Sequence, residues 1–340
     1  MFSSVPLCDL WGEAFRMSLP EFQLTCPRNL AEAVGFLREH QSIRILAGGT
    51  DLLPSMRQKL FEPEHVLDIR YLPELKGIRE TEQGIEIGAL TTLAEIEHSP
   101  ILIKNYPVLT EAAKTVASPV LRNMGTIGGN ICLDTRCLWY NQSLAWRKSC
   151  GFCIKKDGDL CHVAPGGAKC WAAFSADTPP ALLCLDAEIE IVSAVGARRI
   201  PLGDFYTGDG VSHRRLQARE LLTRVFLPRA SSGYRGSYRK LRVRGSIDYP
   251  LAGVAVTLRK SNGHLEDLRI GITAVNPGPL LIQGLDSMLN GGLDEAAAEA
   301  IGELAARTAK PLTTSALTPE YRREMIRVFT KRAVLALSNS

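Results

Sequence analysis

Apolar residues recur at helical spacing between Asn29 and His40, which puts Leu30, Ala33, Val34 and Leu37 on one face of a predicted helix. The following run, SIRILAGG at 42–49, is apolar up to a glycine pair and reads as a strand entering a turn. HVLDI at 65–69 is expected to add a further strand, giving a compact α/β unit. From Gly77 the pattern changes to a hairpin turning near Gly84, then a helix capped at Thr91 or Thr92. An alanine-rich helix is predicted from Val108 to Ala117, and PPALLCLDAEIEIVSA and ELLTRVFLP both read as strands.

Beyond Ser231-Ser232-Gly233 a third unit begins, in which two apolar runs flank Asn262-Gly263, a strong hairpin signal. Two helices are expected to close the chain: LDEAAAEAIGELAARTAK, and PEYRREMIRVFTKRAVLAL with Met325, Val328 and Phe329 at helical intervals. No internal repeat or low-complexity segment interrupts this order. The expected divisions are an N-terminal extension at 1–18, units at 19–75 and 76–230, and a C-terminal unit at 231–340.

A chain of 340 residues, 45% hydrophobic and 22% charged, can bury a large core shared among such units. The net charge of +4 gives no support for nucleic acid or an acidic partner. No apolar run approaches the ~18 residues of a membrane span, and the first residues lack a basic head and a long apolar stretch, so a cytoplasmic address is expected. Three of the nine cysteines, Cys8, Cys26 and Cys184, stand alone, which fits a reducing compartment better than a disulfide framework.

Two glycine pairs are candidate phosphate cradles. Leu46-Ala47-Gly48-Gly49-Thr50-Asp51 follows a strand, and Thr126-Ile127-Gly128-Gly129-Asn130 repeats the bare backbone with a hydroxyl and an amide beside it. A diphosphate gripped from two sides is how a dinucleotide such as FAD is commonly held, although two ordinary turns have the same appearance. Neither segment matches the GxGxxG fingerprint or a lysine-bearing phosphate loop, so a Rossmann fold or an NTPase is not supported. No GxSxG elbow or HExxH helix points to hydrolysis.

The other six cysteines, Cys132, Cys137, Cys150, Cys153, Cys161 and Cys170, crowd one stretch and point to a metal centre. A local reading takes Cys150, Cys153 and Cys161 with His162 or Cys170 as a zinc site. The set Cys137, Cys153, Cys161 and Cys170 is equally open, since spacing alone does not choose between them. Further on, Tyr238, Lys240 and Arg242 share one face of a basic strand, where a cation can stand near the pyrimidine ring of a reduced flavin.

The run from Thr126 to Ala187, TIGGNICLDTRC through KCWAAFSADTPPALLCLDA, resembles the flavoprotein (beta) subunits of 4-hydroxybenzoyl-CoA reductases, within the xanthine oxidase family of molybdenum enzymes. The likeness extends from about Glu21 to Leu335 and takes in LAGGTDLLP, YRKLRVRGSIDYPLAGVAV and the EYRR segment. It implies an α+β chain: a two-subdomain FAD-binding fold of the vanillyl-alcohol oxidase type, then a C-terminal α/β domain as in CO dehydrogenase flavoproteins. By the same resemblance, Arg44, Ile45, Leu46, Ala47, Gly48, Gly49, Thr50 and Asp51, with Thr126, Ile127, Gly128, Gly129 and Asn130, hold the FAD diphosphate. Asp177, Leu221 and Lys240 then line the ribityl or isoalloxazine, with Val116 and Leu133 as further contacts. An insertion at 136–174 is implied to bind one [4Fe-4S] cluster through Cys137, Cys153, Cys161 and Cys170. Cys132 and Cys150 become bystanders and His162 a neighbour, although Cys150 departs from the pattern by forming a Cys-x-x-Cys with Cys153.

The function so implied is electron transfer. Electrons pass from ferredoxin through [4Fe-4S] and FAD toward a [2Fe-2S] small subunit and a molybdopterin-binding large subunit, which dehydroxylates 4-hydroxybenzoyl-CoA, in a dimer of heterotrimers. No catalytic residue is expected on this chain. The rival expectations are the flavin subunit of a related hydroxylase or aldehyde oxidoreductase, and a zinc-stapled binding protein.

Overall fold

A computed structural model describes residues 18–261, 264–288 and 293–339. The expected extension, apart from Ser18, and the Asn262-Gly263 turn lie outside the described residues.

Three sheets organise the chain. The first is parallel, with β1 (Gln23–Thr25), β3 (His65–Asp68) and β2 (Ile43–Leu46) in that order. Parallel neighbours need a crossover, and the helix Leu30–Glu39 is part of it, burying Ala33, Val34 and Leu37 under an Asn29 cap that accepts from the Glu32 N-H. The second sheet is antiparallel, in the order β4 (Ile78–Thr81), β5 (Gly84–Gly88), β8 (Leu221–Pro228), β6 (Glu188–Ser193), β7 (Gly196–Pro201). The helix after β5 starts at Thr92, which forms a capping box with Glu95. The third sheet, β12 (Leu280–Leu281), β11 (His264–Thr273), β10 (Ala252–Ser261) and β9 (Arg235–Leu241), carries the helices Glu295–Thr308 and Pro319–Ser338 over its own apolar core.

Two sequence expectations need correction. PPALLC is not strand: Thr178–Cys184 is a helix, and only Glu188–Ser193 of that stretch extends. Pro179 and Pro180 sit in the first turn, where no N-H is needed, and the helix is buried all round, so its continuous apolar run mimics a buried strand. The last helix buries Arg322, Ile326, Thr330, Ala333, Val334 and Leu337, while Met325, Val328 and Phe329 are only partly covered. Its core stripe runs through a charged residue. Arg322 donates to the carbonyls of Leu251 (2.8 Å), Ala274 (2.6 Å) and Leu312 (2.9 Å), tying the helix to neighbouring loops.

The cysteine-rich excursion leaves and rejoins the fold at one point. Arg136 and Ala173 exchange both backbone hydrogen bonds, at 2.7 and 2.8 Å, closing its neck. Arg147, 1% exposed, donates to the Lys59 carbonyl at 2.9 Å and pins the excursion against the first unit.

Candidate flavin and cluster sites

A cavity of about 790 Å³ opens among the loops that follow β2, precede the helix Ile127–Ile131 and precede β8. That volume is in the range of sites that enclose a large cofactor. Arg44, Ile45, Ala47, Gly48, Gly49, Thr50 and Asp51 line it, as do Val116, Thr126, Gly128, Gly129, Asn130, Leu133, Asp177 and Leu221. Leu46 and Ile127 instead turn into the core, at 7% and 0% exposure.

The two glycine segments differ in what they offer. A Cβ on Gly48 would stand 1.9 Å from the Met124 carbonyl oxygen and Gly49 has φ +73°, so this loop needs the first glycine to lie against 124–125 and the second to make its turn. Among the described residues the N-H groups of Gly48, Gly49 and Thr50 meet no backbone or side-chain acceptor, which leaves them for an anion. The second segment keeps its own donors. Ile127 N-H goes to Thr91, Gly128 N-H to Ala89, and Gly129 N-H to the Thr126 hydroxyl at 3.1 Å. Its contribution is close approach, since a Cβ on Gly128 would meet Ala89. The Asn130 Oδ1 accepts from both the N-H (3.1 Å) and the hydroxyl (2.6 Å) of Thr178, bracing the opposite wall.

Lys240 does not line the cavity. It stands behind Asp177, donating to its Oδ2 at 2.9 Å and to the Thr115 carbonyl at 2.9 Å, while Tyr238 donates to the Asp177 Oδ1 at 2.8 Å. The cation expected near the flavin ring is held in a buried ion pair with Asp177, which is itself on the cavity wall. Strand alternation does put Tyr238 and Lys240 on one face, since both reach the same carboxylate.

Cys137, Cys153, Cys161 and Cys170 are buried and line one small recess inside the excursion, with Trp139, Ile154 and Ala172 around them. The Cys170 sulfur accepts the Ala172 N-H at 3.4 Å, and Gly210 is pressed against it so closely that a Cβ would stand at 2.7 Å. As free thiols two of them resist ionisation: burial pushes Cys137 up to about 12 and Cys170 up to about 11. No three His, Cys, Asp or Glu side chains among the described residues close on one point tightly enough for a single ion. A tetrahedral zinc needs sulfurs roughly 3.8 Å apart, from its bond length of about 2.3 Å. A cubane takes one sulfur at each of four irons and spaces them wider than a single ion does. Cys150, half-buried at the end of the helix Leu144–Ser149, is outside that ring, and Cys132 faces the flavin cavity. His162 lies at the recess but stacks on Trp139 and turns its Nε2 to the Phe152 carbonyl at 2.5 Å.

Between the two sites is a buried polar cluster that no sequence signal marks. Lys155 donates to Asp134 (2.7 Å), to the Thr135 hydroxyl (2.5 Å) and to the Gly210 carbonyl (2.6 Å). Tyr140 donates to the other oxygen of Asp134 at 2.9 Å. Burial alone would raise the Asp134 carboxyl, but the Lys155 ammonium beside it and the hydrogen bond from Tyr140 hold it below its ordinary range. His213 is pushed down to about 3, by burial first and then by Arg214, so its ring is neutral, and its Nε2 has no partner among the described residues. An unpartnered buried nitrogen on a cavity wall is a contact a bound molecule would satisfy. Asp134, Tyr140 and Lys155 share no regular spacing and His213 is distant in sequence, which is why reading along the chain does not group them.

Residues 20–230 match the model of the FAD-binding domain in molybdopterin dehydrogenases, and 236–337 match that of the CO dehydrogenase flavoprotein C-terminal domain. The carbon monoxide dehydrogenase medium chain of Hydrogenophaga pseudoflava is 31% identical over 93% of this chain and 97% of its own length. A putative xanthine dehydrogenase FAD-binding subunit of Escherichia coli is 29% identical over 90% and 92%. Among solved structures, a Cu,Mo-CO dehydrogenase superposes with a TM-score of 0.78 at 30% identity, covering 95% of this chain and 99% of that one. With the expected architecture present, this chain belongs to the FAD-binding medium subunits of the xanthine oxidase and CO dehydrogenase family of molybdenum hydroxylases.

Proposed function

We propose that this subunit serves a molybdenum enzyme of the 4-hydroxybenzoyl-CoA reductase type, carrying electrons through one [4Fe-4S] cluster and FAD. The observation that supports this reading is the recess of four buried cysteines, which shares part of its wall with the flavin cavity. Cys137, Cys153, Cys161 and Cys170 would hold the cluster, and the excursion closed by Arg136 and Ala173 keeps it apart from bulk water. A thiolate-ligated cubane supplies low-potential single electrons, and flavin exchanges them one or two at a time.

The chain's own residues bind and insulate. The Gly48–Thr50 backbone offers its N-H groups to the diphosphate, Asp177 fixes the far wall through Lys240 and Tyr238, and Leu133 and Leu221 give the ring system apolar faces. No side chain here is assigned to substrate chemistry. A molybdopterin-binding large subunit and a [2Fe-2S] small subunit are the proposed partners, in a dimer of heterotrimers, with ferredoxin as donor.

A second reading has support of its own: the relatives named above are subunits of dehydrogenases, and in such an enzyme electrons leave through FAD to an acceptor. The purified complex decides between them. Dehydroxylation of 4-hydroxybenzoyl-CoA driven by a low-potential one-electron donor supports the reductase. Oxidation of a substrate such as carbon monoxide or a purine, with no acyl-CoA dehydroxylation, supports the dehydrogenase.

A further inference from the structure

Two residues, Tyr140 and Lys155, belong to both walls, lining the cysteine recess on one side and the flavin cavity on the other. We propose that Tyr140, braced by Asp134 and flanked by Lys155, is the crossing point for electrons between the cysteine-held cluster and the flavin. The proposal rests on the cluster reading given above and deepens it.

The Tyr140 ring, 3% exposed, packs in one buried apolar group with Cys137, Cys153 and Cys170. Its hydroxyl donates to Asp134 Oδ2 at 2.9 Å, and Asp134 is itself part of the flavin cavity's wall. A route of ring, hydrogen bond and carboxylate therefore runs from the sulfurs to the flavin side. Electron tunnelling decays less steeply through bonded and packed matter than across a gap, so such a route is favoured over the looser surroundings. The Lys155 ammonium lies 4.7 Å from the Tyr140 ring centroid and is fixed by three oxygen acceptors. Placed between the centres in a medium of low polarisability, its charge lowers the cost of adding an electron to either one.

The step is balanced without bond making between heavy atoms. One electron leaves the donor centre, oxidising it by one, and enters the other, reducing it by one. A one-electron protein carrier outside the chain and the molybdenum-bearing partner supply and remove the electrons. Protons that follow electrons to the flavin come from solvent at the cavity mouth. Tyr140 and Lys155 are positioning residues in this account.

The test uses the complete complex, purified anaerobically, with Tyr140→Leu, Tyr140→Phe and Lys155→Met variants. Iron, acid-labile sulfide and flavin are measured first, then the rate at which flavin and cluster re-equilibrate after a flash of photoreduction. Tyr140→Leu is expected to slow this exchange measurably at unchanged cofactor content. Tyr140→Phe keeps the ring, loses the bond to Asp134 and is expected to fall between. Lys155→Met is expected to lower the midpoint potentials of both centres. Wild-type exchange in a fully loaded Tyr140→Leu protein overturns the proposal. If that variant does not retain its cofactors, unchanged exchange in Tyr140→Phe with unchanged potentials in Lys155→Met overturns it equally. A wild-type complex with flavin but no iron on this chain sinks the cluster reading itself, and the proposal with it.

Discussion

Lys240 and Asp177 meet at 2.9 Å with both side chains 3% exposed, joining β9 of the C-terminal sheet to the wall of the flavin cavity. Removing one member leaves an uncompensated buried charge, a change that costs about 3–5 kcal/mol. Lys240→Met is therefore expected to lower stability by that order and to reduce flavin content, with the double variant Asp177→Asn/Lys240→Met recovering most of the stability. Denaturant titration of the three proteins checks this, and a Lys240→Met protein as stable as the parent contradicts it.

His213 makes stability depend on acid. Its folded value near 3 lies below the ordinary 6.5, so the unfolded chain binds the proton more readily across that interval. The contribution of the neutral ring is complete above pH 6.5 and is lost as pH falls toward 3. It amounts to a few kcal/mol, at about 1.4 kcal/mol for each pH unit that separates the folded and unfolded values. His213→Gln is expected to flatten the acid side of the stability profile relative to the parent, and parallel profiles between pH 6.5 and 3 would falsify the assignment.

Gly48 is fixed by contact and not by its dihedral angles. A methyl group there would stand 1.9 Å from the Met124 carbonyl, so the loop after β2 and the segment 124–125 must part. Gly48→Ala is expected to lose most bound flavin while the distant C-terminal helices still fold. Flavin absorbance and far-UV circular dichroism separate the two effects, and full flavin content in the variant rejects the contact.

Arg322 ties the last helix to three carbonyls while fully buried, and burial lowers its guanidinium to about 10. Arg322→Met fills the space but takes this donor from the Leu251 and Ala274 carbonyls, while Leu312 keeps the Thr314 N-H, a loss of about 2 kcal/mol or more. Hydrogen exchange is expected to speed up in the helix Pro319–Ser338 before it changes in the flavin cavity. Uniform exchange rates across the chain would argue against a local tie.

Much of the fold is legible along the chain, and the failures have identifiable causes. The helix Leu30–Glu39 and the cap at Thr92 follow from period and capping chemistry, which act over a few residues. The Gly48-Gly49 turn is visible because it needs two residues without side chains. PPALLC misleads because a helix buried on all sides has no polar face to betray its period. The offset of the last helix escapes the pattern because its stripe includes Arg322, whose burial depends on carbonyls from residues 251, 274 and 312. The wall formed by Asp134, Tyr140, Lys155 and His213 depends on folding of the excursion and has no spacing signature. The four recess cysteines come from resemblance, since spacing alone leaves a zinc set open, and the fold brings them to one recess while leaving Cys150 aside.

The most direct test is the iron, acid-labile sulfide and flavin content of this subunit, separated anaerobically from its complex, beside its Cys170→Ser and Cys150→Ser variants. One [4Fe-4S] cluster and one FAD per chain are predicted, with the cluster lost in Cys170→Ser and kept in Cys150→Ser. Zinc, or no metal at all, in a subunit that still binds FAD would contradict the cluster assignment.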